Sequence, residues 1–187
     1  MTLNISFNIV GRGESVFFIH GIGSRKYSWN RVIEELQSEY QCVSYNLRGH
    51  GEIEIDENSF LLLDLVQDLE KLRLHLNIDK IHIVGHSLGG MIGPAYTKKY
   101  QDKVLSLSLL STAAFRNIND QRKIMNIINQ IESEGLNVVL PNLINRWFTD
   151  DFIKNNQEII NVRIKQVKDT PIKTFLNVFR LYAQTEM

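Results

Sequence analysis

The chain has 187 residues, 43% of them hydrophobic, which is enough for one domain with a sizeable core and too little for two well-filled ones. Its 21 Lys plus Arg balance 21 Asp plus Glu, so the net charge of zero offers no bulk attraction for nucleic acid or an anionic membrane, and a small molecule is the expected partner. A single cysteine, Cys42, excludes an internal disulfide and, with an N-terminus that lacks a secretion signal, predicts a cytoplasmic protein.

The first half of the chain alternates short apolar runs with segments of helical periodicity. The predicted strands are residues 3–10, 15–19, 42–47, 80–84 and 104–110, and the predicted helices are residues 27–40, about 62–76 and about 87–100. Near-continuous apolar strands that alternate with helices are typical of a mostly parallel sheet covered on both faces. We therefore expect an α/β fold with a doubly wound sheet and a site at the carboxyl ends of its strands.

The second half of the chain changes character, because no further strand of this type follows. Isoleucines at helical spacing over 124–131 predict one helix, and Thr170 followed by Pro171 predicts an N-cap with proline at the first helical position of another. We interpret residues 1–113 as the α/β core and residues 114–187 as a helical lid. Whether the aromatic side chains of Trp147 and Phe148 contact substrate or only fill the lid's own core is open.

The strongest chemical signal is the sequence Gly85-His86-Ser87-Leu88-Gly89, which directly follows a predicted strand and directly precedes a predicted helix. Glycine on each side of the serine permits a sharp turn and close packing of helix on strand, which exposes the Ser87 hydroxyl at the end of the sheet. The helix that begins there directs free amide groups at the site. The Leu88 N–H is thus a candidate to stabilise negative charge on a substrate carbonyl oxygen.

A second glycine-bearing loop, His20-Gly21-Ile22-Gly23, ends another predicted central strand. An oxyanion hole needs two donors, and the backbone N–H of Ile22 is the candidate for the second one. The simpler interpretation of this loop is an ordinary glycine turn, which the neighbouring serine motif makes the less favoured of the two.

Together these pieces resemble the α/β-hydrolase family, and within it the lid-bearing esterase and lactonase branch that includes the 3-oxoadipate enol-lactonases. The matching stretches are Phe18-Ile19-His20-Gly21-Ile22-Gly23, Asn46-Leu47-Arg48-Gly49-His50-Gly51, Val84-Gly85-His86-Ser87-Leu88-Gly89-Gly90 and Leu110-Ser111-Thr112-Ala113. The resemblance implies that Ser87 is a nucleophile that attacks an acyl carbon, with the Leu88 and Ile22 backbone N–H groups as the oxyanion hole. It also implies that a histidine accepts the serine proton and that an acid orients this histidine.

The chain departs from that pattern after the serine. In this fold the acid and the histidine follow the nucleophile along the chain, but residues 88–187 contain no histidine. The five histidines are His20, His50, His75, His82 and His86. The resemblance implies structural roles for His20, His50 and His86, so that His20 is a poor candidate for the base. The later acids Asp150, Asp151 and Asp169 fall in predicted helices rather than at strand ends. We expect neither the base nor the acid within this chain.

Three interpretations follow. The simplest is that these residues are the front portion of a longer hydrolase, with C-terminal strands missing, that cleaves a carboxylic ester or lactone through an acyl-enzyme. A second is a hydrolase-like protein that kept the pocket and lost the chemistry, and a third is haloperoxidase or acyltransferase activity on the same scaffold. No cofactor or metal is expected, because no His/Cys cluster has metal-ligand spacing and the Gly11-Arg12-Gly13 segment lacks the rest of a dinucleotide fingerprint.

Overall fold

The computed structural model describes residues 4–51, 60–112 and 114–185. Parts of the predicted core (1–3, 52–59 and Ala113) and the last two residues of the predicted lid lie outside the described residues. The strands within the described ranges are β1 (Phe7–Val10), β2 (Glu14–Ile19), β3 (Tyr40–Tyr45), β4 (Ile81–His86) and β5 (Val104–Leu110). The α-helices of the same ranges are α1 (Asn30–Leu36), α2 (Leu62–His75), α3 (Leu88–Lys99), α4 (Ile118–Glu134), α5 (Leu136–Trp147), α6 (Asp150–Asn155), α7 (Gln157–Lys168) and α8 (Ile172–Gln184).

The strands form one sheet in the order β1-β3-β2-β4-β5. Only β1 is antiparallel to its neighbour, and the pairs β2·β3, β2·β4 and β4·β5 are parallel. Ile19, at the end of β2, pairs with both Tyr45 and Gly85. The carboxyl ends of the three central strands therefore meet at one edge of the sheet, and the predicted mostly parallel α/β fold is confirmed.

Helices cover the central strands on both faces, which explains why β2 carries apolar residues at successive positions. Phe17 belongs to the larger core with the buried residues of α2 and α3, whereas Phe18 packs on the opposite face with Trp29 and Ile33 of the α1 region. Cys42 lies in that second cluster as a buried free thiol, as the sequence predicts. Strands buried on both faces lose the alternation of polar and apolar residues that one-sided sheets show.

Strand β5 lies at the edge of the described sheet, where it pairs with β4 alone. Three of its leucines are substantially exposed, Leu105 by 43%, Leu109 by 45% and Leu110 by 42%. Apolar side chains and unpaired backbone groups at a sheet edge are a surface that another strand or helix can cover.

The residues after β5 form helices α4 to α8, and their apolar sides join the same core as the sheet. Asn117 caps α4, since its side-chain oxygen accepts hydrogen bonds from the N–H groups of Asn119 and Asp120. The predicted cap of the last helix is wrong by one residue: Pro171 occupies the N-cap position and the Thr170 hydroxyl donates to the carbonyl of Gln166 instead. None of the helices in the described ranges is both long and apolar enough to cross a membrane.

Candidate active site

Ser87 occupies the sharp turn between β4 and α3, where it is the residue that precedes the helix. Its backbone has φ 53° and ψ −111°, a conformation that an L-residue adopts only under strain. Its N–H donates to the carbonyl of Leu110 at 3.0 Å, which ties the turn to the end of β5. Leu88 is the first residue of α3, so its N–H has no acceptor within the helix.

Glycines allow this turn to form. A Cβ placed on Gly89 would lie against the carbonyl oxygen of Ile19 well inside contact distance, so only glycine lets α3 pack this closely on β2. A Cβ on Gly21 would lie 3.1 Å from the Cβ of Ser87 and 3.0 Å from Nδ1 of His86. The His20–Gly23 loop therefore lies directly against the serine, as the sequence predicts.

The residues on either side of Ile22 both form backbone hydrogen bonds. The Ser24 N–H donates to the Gly21 carbonyl at 3.2 Å and the Gly23 N–H donates to Nε2 of His50 at 3.0 Å. The Ile22 N–H itself has no acceptor among the described residues. An unpaired N–H beside Ser87 is what a donor to a substrate oxygen would require.

Both ring nitrogens of His20 and of His50 are occupied by backbone groups. His20 accepts the Leu47 N–H on Nε2 at 3.0 Å and faces the Gly21 carbonyl with Nδ1 at 2.8 Å. His50 accepts on Nε2 and faces the Arg48 carbonyl with Nδ1 at 3.2 Å. These partners fit a neutral ring with the proton on Nδ1, and they leave no lone pair for the Ser87 proton.

Burial is the main reason why the charged forms of these two rings are disfavoured. It lowers the pKa of His20 well below its usual value and lowers the pKa of His50 to about 3, and the charge of Arg163 acts in the same direction on both. The two rings also meet edge to face, with centroids 5.0 Å apart. The hydrogen bonds of His20 and His50 thus tie the loop of residues 20–23 to the loop of residues 47–50.

Of the remaining candidate groups, all but His86 make their contacts away from Ser87. His82 contacts Ser106 and Glu14 toward the start of β4, and His75 packs against Phe7. The acids Asp150 and Asp151 are exposed on α6, and Asp169 pairs with Lys165 at the end of α7. His86 adjoins the serine but is exposed.

Two arginines that the sequence analysis did not single out attach the later helices to the His20–Gly23 loop. Arg25 donates from Nη2 to the Gln166 carbonyl and to the Thr170 hydroxyl, both at 3.0 Å. Arg163 of α7 donates from Nη2 to the Ile22 carbonyl at 2.6 Å. Each contact joins residues 141 or more positions apart, so no local sequence pattern could have revealed it.

The predicted lid aromatics have separate partners. The Arg163 guanidinium lies over the ring of Trp147 at 4.6 Å, whereas Phe148 stacks on Phe152 at 5.3 Å between ring centroids. Trp147 therefore lies near the His20–Gly23 loop through Arg163. Among the described residues no group of three or more His, Cys, Asp or Glu side chains is arranged to hold a metal ion.

Comparisons with known proteins agree with this architecture. The chain is 26% identical to 3-oxoadipate enol-lactonase 1 of Acinetobacter baylyi in an alignment of 195 positions that covers 100% of this chain and 69% of the lactonase. It is 23% identical to (E)-2-((N-methylformamido)methylene)succinate hydrolase of the same organism, over 95% of this chain and 66% of that protein.

Solved structures show the same fold. The enol-lactonase of Burkholderia xenovorans superposes with a TM-score of 0.88 at 18% identity, covering 97% of this chain and 71% of that one. The chain thus spans about two thirds of the length of these relatives. The family profile described as "alpha/beta hydrolase fold" matches residues 14–151. With the parallel sheet and the strand-turn-helix at Ser87, this match shows that the chain belongs to the α/β-hydrolase family.

Proposed function

We propose that this chain is a serine hydrolase that cleaves a carboxylic ester or lactone through an acyl-enzyme on Ser87. The observation that carries the proposal is the strained backbone of Ser87 between β4 and α3, with the His20–Gly23 loop in contact with it. Strain of this kind is maintained at functional turns because it presents a side chain to substrate.

The Leu88 and Ile22 N–H groups are the proposed oxyanion hole. The first belongs to the opening turn of α3, and the second has no acceptor among the residues described. Two such donors stabilise the oxygen of a tetrahedral intermediate, an effect of roughly 3 kcal/mol for each donor in comparable enzymes. No metal or cofactor enters this mechanism, and the proposed partner is a small ester or lactone in the cytoplasm.

The proton of Ser87 needs a base, and the described residues bring no unoccupied imidazole nitrogen to it other than on the exposed ring of His86. We propose that residues 1–187 by themselves turn over slowly, because the histidine and acid of the family are not contributed by this stretch. Purified chain is expected to hydrolyse p-nitrophenyl acetate little faster than Ser87→Ala.

A test that does not depend on the missing base uses imidazole in solution as a substitute. We expect the difference in p-nitrophenyl acetate hydrolysis between the chain and Ser87→Ala to grow with imidazole concentration, and intact mass to show an acetyl adduct on the chain alone. A fluorophosphonate is expected to label the same serine under these conditions. Absence of any Ser87-dependent adduct with imidazole would contradict the proposed nucleophile, and fast turnover without imidazole would contradict the missing base.

A second candidate is a binding protein that retains the pocket without the chemistry. The observation in its favour is that the buried rings of His20 and His50 are committed to backbone partners. A binding protein of this kind would bind small acyl compounds and form no adduct at Ser87 even with imidazole. The imidazole experiment therefore separates the two candidates.

A further inference from the structure

A serine, a histidine and a glutamate lie side by side near the amino end of the sheet, away from Ser87. The Oγ of Ser106 is 2.8 Å from Nδ1 of His82, and Nε2 of the same ring is 3.2 Å from a carboxylate oxygen of Glu14. The three residues belong to β5, β4 and β2, which are neighbours in the sheet. Roughly 16 Å of strand separates His82 from Ser87, so this group is distinct from the serine turn.

An irregularity in the pairing of β5 with β4 brings Ser106 onto the face of His82. Ile81 pairs with Val104, whereas the next residue, His82, pairs with Ser106, so Leu105 is an extra residue in β5. Without this bulge His82 would pair with Leu105, and the Ser106 side chain would point to the opposite face, because side chains alternate along a strand. Bulges are rare between parallel strands, and they redirect side chains at sheet edges and beside active sites.

The partners of His82 determine which ring nitrogen carries the proton. A carboxylate can only accept, so the Nε2–H donates to Glu14 and the bare Nδ1 accepts from the Ser106 hydroxyl. A base within hydrogen-bond reach of a hydroxyl, itself oriented by an acid, is the arrangement that activates serine as a nucleophile. The simpler interpretation is a surface ion pair beside an unrelated serine, and it gives no reason for the bulge that aligns the two side chains.

The surroundings of Ser106 define the kind of molecule that it could attack. Ser106 is exposed on the edge strand and 22% of the His82 side chain is exposed, so water and small molecules both reach the hydroxyl. The Tyr40 ring meets the His82 ring edge to face, with centroids 6.0 Å apart, which helps to fix the imidazole. In the described sheet β5 pairs with β4 alone, so N–H groups on its outer edge can donate to a developing oxyanion. An open site of this kind suits a compound with a good leaving group.

We propose that Ser106 is a second nucleophile of this chain, with His82 as its general base and Glu14 as a positioning residue, and that it accepts acyl groups from small activated esters and thioesters. The Ser106 oxygen attacks the acyl carbon while its proton passes to Nδ1 of His82, and the C–O or C–S bond to the leaving group breaks. The ring then returns the proton to the departing oxygen or sulfur.

The acyl group on Ser106 is exposed to water, which attacks it with His82 again as the base. The acyl-serine is therefore hydrolysed and does not accumulate. This inference does not involve Ser87, and it holds whether or not Ser87 is a nucleophile.

The experiment treats Ser87→Ala with a fluorophosphonate, without imidazole, and maps the adduct by peptide mass spectrometry. Attack by a serine oxygen at phosphorus expels fluoride and leaves a stable phosphonyl ester, so the label records the first step alone. Ser108 is the internal reference, because it lies on the same face of β5 and is exposed as well. We expect Ser106 to be labelled about 100-fold faster than Ser108, since general base catalysis contributes roughly this factor or more.

Three substitutions, each made in the Ser87→Ala chain, test the separate roles. His82→Gln is expected to reduce labelling of Ser106 to the level of Ser108. Glu14→Gln places an amide that can donate to Nε2, so that Nδ1 takes up the proton in part of the population and labelling slows about tenfold. Long-range ¹H–¹⁵N spectra of the His82 ring should show this change of tautomer, which a purely structural role of Glu14 would not require. Ser108→Ala is the matched control and should leave labelling of Ser106 unchanged.

The acyl reaction itself is measured by release of p-nitrophenol from p-nitrophenyl acetate. Ser87→Ala is expected to release it faster than Ser87→Ala with Ser106→Ala added. The contribution of Ser106 is the same in the chain and in Ser87→Ala, so it cancels in the comparison that tests Ser87.

Four outcomes would each overturn the proposal: equal labelling of Ser106 and Ser108, labelling of Ser106 that His82→Gln leaves unchanged, a proton on Nδ1 of His82 in the Ser87→Ala chain, or equal release of p-nitrophenol with and without Ser106. Circular dichroism shows whether each variant is folded. The comparison of Ser106 with Ser108 needs no substitution near either serine.

Discussion

The strain at Ser87 predicts that replacing this residue by glycine stabilises the protein. A non-glycine residue in a sparsely populated backbone region carries roughly 1–3 kcal/mol of strain, and glycine, which lacks Cβ, relieves it. The hydroxyl of Ser87 has no partner among the described residues, so little else is lost. Glycine also has more conformational freedom than alanine in the unfolded chain, and losing this freedom on folding lowers the free energy of unfolding by about 0.5–1 kcal/mol. The net expectation is that Ser87→Gly is more stable than Ser87→Ala by roughly 1 kcal/mol.

The matched comparison is made at Ser133, an exposed residue near the end of α4 with ordinary helical surroundings. There Ser133→Gly is expected to be less stable than Ser133→Ala by about 1 kcal/mol, because glycine disfavours helix. Changing alanine to glycine is thus expected to raise the free energy of unfolding at position 87 and to lower it at position 133, and the two changes differ by roughly 2 kcal/mol.

Urea denaturation of all four variants, followed by circular dichroism, measures these differences in the free energy of unfolding, and thermal denaturation checks them. For a domain of this size 1 kcal/mol corresponds to about 2–4 °C in Tm. If glycine destabilises position 87 as much as position 133, the turn is not strained and the argument that Ser87 is held for function fails.

Three other substitutions follow from the same contacts. Gly89→Ala is expected to lower the free energy of unfolding by several kcal/mol, because the new Cβ would drive α3 off β2; a urea midpoint close to wild type would contradict the packing described. Arg25→Met removes the hydrogen bonds from Arg25 to the Gln166 carbonyl and to the Thr170 hydroxyl, and only the carbonyl keeps another donor, the Thr170 hydroxyl. The loss is expected to cost about 2 kcal/mol, seen as faster amide exchange in α7 and α8. The pKa of His50 is about 3 in the folded chain and about 6.5 in the unfolded chain, so between these values only the unfolded chain binds the proton. The free energy of unfolding is therefore unaffected by His50 above pH 6.5 and falls by up to about 1.4 kcal/mol per pH unit below it. His50→Gln is therefore expected to flatten the acid side of the urea profile, whereas His75→Gln, at an exposed position, should not.

The sheet and the serine turn could be predicted because their signals are local. Alternation placed β1 and apolar runs placed the other four strands, while the glycines two residues to each side of Ser87 placed the turn. The bounds differ, since β1 covers Phe7–Val10 and β3 begins at Tyr40 rather than at Cys42. The long segment predicted as one helix from Tyr27 is divided into a 3-10 turn and the short helix α1. Boundaries are decided by hydrogen bonds that composition does not specify.

The candidate site was predicted only in part, for a physical reason. The roles of His20 and His50 followed from the family resemblance, and their hydrogen bonds now explain those roles. Arg25 and Arg163 carried no signal, because a single arginine in a loop or on an amphipathic helix is most often solvated. Their importance comes from α7 folding back onto a loop near the start of the chain.

That return of α7 also sets the order in which the molecule can assemble. Residues 141 positions apart must meet before Ile22 and Arg163 are joined, and contacts so distant along the chain carry a high loop-closure entropy. On a ribosome the turn at Ser87 leaves the exit tunnel while α7 has yet to be synthesised. We therefore expect the contacts of α7 with the loop beside Ser87 to form late in folding, so that Arg163→Gln changes the rate of unfolding more than the rate of refolding.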